Sequence, residues 1–107
     1  MEVSSDVVLR LSAQRALLGH VTPPLRSVSV DLDPLRRIVF VRFVFAREPS
    51  ESQGNAASCA GTEILADYPD QWTIEEEFVV VPPPNRAEDR RWVVYSSCED
   101  DWVSAPI

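Results

Sequence analysis

With 107 residues, of which 45% are apolar and 25% charged, the chain has the size and balance of one globular domain, 1–107. It holds no run of the roughly 18–20 apolar residues that a membrane-spanning helix needs. Seventeen acids against ten bases give a net charge of −7, which opposes binding to a phosphate backbone and favours a basic protein partner. Every base is an arginine, so amine and Schiff-base chemistry has no side chain to run on.

The N-terminus carries no basic segment followed by an apolar one, so the expected location is the cytoplasm. Cys59 and Cys98 are then expected as free thiols or a weak pair, not as a disulfide framework. Residues 4–20 predict a helix. Ser and Asp supply its N-terminal acceptors, Gly19 its C-cap, and Pro23-Pro24 forbid continuation. Val7, Leu11 and Leu18, flanked by Val3 and Leu17, recur at helical spacing and are expected to face the core. His20, at the end of this helix, is expected to cap its last carbonyls.

In "LRSVSVDLD" Val28, Val30 and Leu32 alternate with Ser27, Ser29 and Asp31, the period of a half-buried strand. "DPLR" (33–36) reads as a turn, and "IVFVRFVFA" (38–46) as the second arm of a hairpin. The alternation places Val39, Val41, Phe43 and Phe45 beneath helices. It sends Ile38, Phe40, Arg42 and Val44 to the uncovered side with Ser27, Ser29 and Asp31. Arg42 thus sits among apolar side chains on a bare face. It is expected to pair with Asp31 or Glu75 across strands, to anchor a partner, or to do both.

A second helix is expected over 50–67, N-capped by Ser50, with Ala57, Ala60, Ile64 and Tyr68 on its buried side and Cys59 pointing elsewhere. "WTIEEEFVVV" reads as a third strand. The set with Glu75 and Glu77 is assigned to solvent, although Glu76 fits poorly in the opposite set. "PPPNRAEDR" is a polyproline-like loop and "RWVVYSS" a fourth strand. Residues 98–107 form an acidic tail. The fold class that follows is α+β: a two-layer sandwich in the order helix-β-β-helix-β-β. Its four strands are expected to be antiparallel, as two adjacent hairpins, with both helices on one face.

Motifs for chemistry are sparse. There is no C-x-x-C, H-x-x-x-H or calcium loop, and the side chains of "EEE" alternate across a strand and do not converge. The glycines are too scattered for a phosphate loop. No cofactor or metal is expected.

The segments "RALLGHVTPPLRSVSVDLD", "IVFVRFVFA", "TEILADYPD" and "WVVY", in that order, resemble a family of small acidic bacterial proteins. That family comprises immunity proteins of contact-dependent inhibition and polymorphic toxin systems. Leu17, Leu18 and Gly19 match its helix end. Arg26, Val28 and Val30 match its first strand, and Thr62, Glu63, Ile64, Ala66 and Asp67 its second helix. The chain departs in "WVVYSSCEDD", where the strand has an extra Val and the segment after it is acidic instead of basic.

The resemblance implies a non-catalytic, stoichiometric inhibitor of a cognate basic toxin, such as a nuclease, with Glu75, Glu77, Glu99, Asp100 and Asp101 as contacts. Arg42 and Trp102 are the candidate anchors, and Phe40 is a further candidate contact. Two other readings stand beside it: a ligand-binding module or enzyme with a pocket between sheet and helices, and a homodimer joined through the bare sheet face.

Overall fold

A computed structural model describes residues 5–97 as two helices and a four-stranded sheet. The elements are α1 (Ser5–Ala16), β1 (Leu25–Asp33), β2 (Ile38–Phe45), α2 (Glu51–Ala66), β3 (Thr73–Val80) and β4 (Trp92–Ser96).

Helix α1 carries Asp6 in its first turn and Arg15 in its last, each matched to the helix dipole. It is shorter than its pattern predicts and gives way to a turn over 17–20. Gly19 adopts a φ of +82° there, a conformation that glycine enters without a Cβ clash. The His20 ring N–H donates to the Ala16 carbonyl at 2.8 Å, the expected cap. Helix α2 starts on a full capping box: Gln53 N–H donates to Ser50 Oγ, and Ser50 N–H to Gln53 Oε1.

Strands β1 and β2 form the expected antiparallel hairpin, and β1 also pairs antiparallel with β4. Strand β2 pairs with β3 in parallel, so the sheet is mixed and its order is β3-β2-β1-β4. The expectation of two adjacent hairpins is thereby corrected: β3 and β4 lie on opposite edges. The reason is local. A sixteen-residue helix between β2 and β3 returns the chain to the end of the sheet where β2 began, which makes the next strand parallel. The connection over 81–91 is also far longer than a tight hairpin turn.

Both helices cover one face, α1 over β1 and β4, α2 over β2 and β3. The core between the layers contains Val28, Val30, Val39, Val41, Phe43 and Phe45, all fully buried, with Leu9 and Ala13 from α1 and Ala57, Ala60 and Ile64 from α2. The strand alternation and the small-residue face of α2 are as the sequence predicts. On the face predicted for the first helix, Leu17 is buried and Val3 lies outside the described residues, but the rest is not as predicted. Val7, Leu11 and Leu18 are 37%, 60% and 75% exposed, and the buried stripe is Leu9, Ser12, Ala13 and Ala16. Small residues win because α1 packs closely on α2, and the buried Ser12 hydroxyl is satisfied across that contact.

That contact centres on Asp67, the C-cap of α2. It accepts from Ser12 Oγ at 2.6 Å and pairs with Arg15, so α1 is tied to the end of α2. These two donors hold its carboxyl below the usual range, the Ser12 hydroxyl contributing most. Asp67→Ala is expected to cost about 1 kcal/mol at pH 7. Because the folded pKa is depressed, this contribution is present above 3.8 and disappears as pH falls through the folded value. Chemical denaturation of wild type and variant should therefore converge at strongly acid pH.

Candidate partner interface

Strand pairing sorts every side chain of β2 and β3 to one face or the other. On the helix side, Val39, Val41, Phe43 and Phe45 stand beside Ile74, Glu76, Phe78 and Val80. On the outer side, Ile38, Phe40, Arg42 and Val44 stand beside Thr73, Glu75, Glu77 and Val79. Glu75 and Glu77 are therefore on the side the alternation assigns them.

The outer face is not bare, contrary to the expectation. The connection from β3 to β4 has to cross the sheet from edge to edge, and it does so as a strap over this face. Arg26, only 4% exposed, donates through Nη1 to the carbonyls of Val81 at 2.5 Å and Asn85 at 2.7 Å. Ser27 Oγ donates to Asp89 at 3.2 Å, and Arg90 N–H donates to Ser29 Oγ at 2.8 Å, which buries Ser29 completely. Arg42 Nη1 donates to the Glu88 carbonyl. The Arg90 guanidinium lies 4.7 Å from the centre of the Phe40 ring, a cation–π contact.

Arg42 pairs with Glu77, its register partner on β3, and not with Asp31 or Glu75. Arg90 Nη2 approaches the same Glu77 oxygen at 3.7 Å. One guanidinium amid apolar residues thus has a structural role: it bridges β3 to the strap, pairing with Glu77 and donating to the Glu88 carbonyl. Phe40 is covered from above by the strap's own arginine.

Of the predicted contact residues, Phe40, Arg42 and Glu77 come together in this network, and Glu75 stays exposed beside it at the edge of the sheet. Glu99, Asp100, Asp101 and Trp102 lie outside the described residues, as does Cys98. Arg90, Glu88 and Ser29 complete the network and were missed. The signal for them is the arginine-flanked acidic segment "RAEDRR" after three prolines, in a connection that must span the sheet once β3 is parallel to β2.

Beneath α2 lies a second carboxylate. Glu76 faces the helix and accepts from Ser58 Oγ at 3.3 Å. Gly61 makes room for it: a Cβ at that position would stand 2.5 Å from Glu76 Oε1. Burial pushes the Glu76 carboxyl upward, and the Ser58 bond only partly opposes this. A raised pKa means that the folded state holds its proton to higher pH than the unfolded chain does. Glu76 therefore costs stability as pH rises through its folded value. Glu76→Gln is expected to raise the Tm at pH 7 by about 1–4 °C, from less than about 1 kcal/mol, with the gain gone below pH 4.5. Thermal melts at the two pH values check this.

Other features offer little for catalysis. The exposed Cys59 thiol lies beside Asn55, Ser58, Thr62 and Glu63 on the outside of α2. Among the described residues no three His, Cys, Asp or Glu side chains are grouped to hold a metal ion. A cleft at one end of the layers is lined by Ser5, Val8, Leu32, Pro34, Tyr68 and Trp72, without a charged group. No helix among the described residues is long and apolar enough to cross a membrane.

The fold and this surface define a small two-layer α+β protein in which Arg26, Arg42, Glu77 and Arg90 hold the strap to the outer face. A protein-family model described as MafI2 immunity protein matches residues 6–99, nearly the whole chain, and the protein belongs to that family. No curated protein sequence matches the chain. Membership confirms the resemblance drawn from the helix-end and strand motifs, and implies a cognate toxin as partner.

Proposed function

We propose that this protein neutralises its cognate toxin by forming a one-to-one complex with it in the cytoplasm, without catalysing a reaction. Family membership over residues 6–99 carries the reading. The net charge of −7 supports a basic partner, as a protein that grips and cuts nucleic acid would be, and speeds encounter with it. The contacts we assign are Glu75, exposed on the outer side of β3, and the acids Glu99, Asp100 and Asp101 with Trp102 as an apolar anchor. Phe40, Arg42 and Glu77 act through the strap they hold in place.

The toxin is identified operationally, among products of the reading frames flanking the gene, as the one that kills host cells unless this protein is co-expressed. Mixing the two purified proteins should give a 1:1 species by native mass spectrometry. Its association rate should fall at least about tenfold between low and physiological salt. Rescue of cells with no detectable complex would reject the proposal.

A further inference from the structure

The two edges of the sheet are built differently. β4 is five residues long and is bulged against β1 between Val28 and Ser29, two features that discourage a further strand from pairing there. β3 has eight residues, pairs with β2 in unbroken register, and has no strand on its other side among the described residues. Thr73 N–H donates to Arg37 O, and Val81 N–H to Phe45 O, so odd-numbered residues direct their backbone groups toward β2. The backbone N–H and C=O of Ile74, Glu76, Phe78 and Val80 consequently point away from the sheet, without a backbone partner among the described residues.

The side chains along this edge are patterned. On its helix side Phe78 and Val80 are 45% and 41% exposed, apolar surface that α2 leaves uncovered. On its outer side Glu75 is exposed. A second copy of the chain is a poor occupant. Antiparallel self-pairing through the middle of the strand would set Glu75, Glu76 and Glu77 against their own images, and like charges directly opposite destabilise a ladder.

We infer that the free edge of β3 accepts an extended segment of the toxin as a fifth strand. This deepens the function proposed above and rests on it. The segment that fits alternates: Arg or Lys on the side that meets Glu75, apolar residues on the side that meets Phe78 and Val80. Backbone pairing supplies the affinity and the alternating side chains the selectivity. The exposed Glu75 then selects a basic strand, while the run of three acids disfavours a second copy.

Residue-resolved amide exchange, on the free protein and on its complex with the toxin defined above, tests this. The amides of Ile74, Glu76, Phe78 and Val80 should slow at least about tenfold on complexation. Those of Glu75, Glu77 and Val79, already bonded to β2, should change little. That alternation is not expected from docking on a face. Val80→Pro removes one outward N–H while leaving the pairing with β2 intact, and should weaken binding at least about tenfold. Glu75→Lys, which leaves the backbone untouched, should slow association and flatten its salt dependence.

A 1:1 complex in which the even-numbered amides still exchange freely would overturn the edge assignment while leaving the immunity function standing. No complex at all would overturn both. A concentration-dependent dimer of the protein alone that protects these same amides would also overturn the assignment. If Val80→Pro fails to fold, the exchange pattern of the wild-type complex decides.

Discussion

Phe43→Ala is expected to remove about 3–5 kcal/mol of folding stability, a large part of the roughly 5–15 kcal/mol that a domain of this size holds. Phe43 is fully buried at the centre of β2 and stacks on Phe78 of β3, with ring centres 5.3 Å apart and planes 11° from parallel. Removing it leaves a cavity under α2 and takes away the contact that seats the edge strand. Phe78 is 45% exposed, so Phe78→Ala should cost only about 1–2 kcal/mol. Urea unfolding with a shared slope measures both. A loss at Phe43 smaller than that at Phe78 would mean that the sheet is not packed as described.

The second large effect concerns Arg42. Arg42→Ala is expected to cost about 1–2 kcal/mol, the lower part of the range for charged hydrogen bonds because Glu77 is 43% exposed. The change removes a bond to a strap carbonyl as well as the pair with Glu77, so Glu77→Ala should cost less. A double-mutant cycle should give a coupling of about 0.5–1 kcal/mol. The strap should also loosen, with faster exchange at the Arg90 amide, which is bonded to Ser29. An Arg42→Ala protein as stable as wild type, with an unchanged Arg90 amide, would show that the strap does not depend on this arginine.

Most of the local structure was legible in the sequence, because it is fixed by short-range chemistry. Alternation in 28–32 and 38–45, the Asp33–Arg36 turn and the Ser50 cap all read correctly from neighbouring residues. What failed depends on long-range placement. The stripe of α1 was misassigned because Val7, Leu11 and Leu18 are the more apolar set, whereas the docking surface on α2 takes Ala13, Ala16 and Ser12. The bare outer face was misread because strand order decides whether a connection crosses it, and no residue in β3 or β4 announces which strand it pairs with.

The question of Arg42 shows the same division. Its outward orientation follows from period two, and a cross-strand acidic partner is expected. Which acid it meets depends on the parallel register of β3, which sets Glu77 and not Glu75 beside it. The strap carbonyl of Glu88 is the partner no local pattern foretells. Family membership was legible because its motifs are local runs of sequence, at the end of α1 and in β1, β2, α2 and β4, that do not depend on how the strands pair.

The most direct test is a titration of the toxin's own activity with this protein at concentrations far above the dissociation constant. One-to-one neutralisation predicts that activity falls linearly and reaches its floor at one equivalent. Loss of activity at a small fraction of an equivalent, progressing with time, would contradict it and show that the protein destroys or modifies its target as a catalyst.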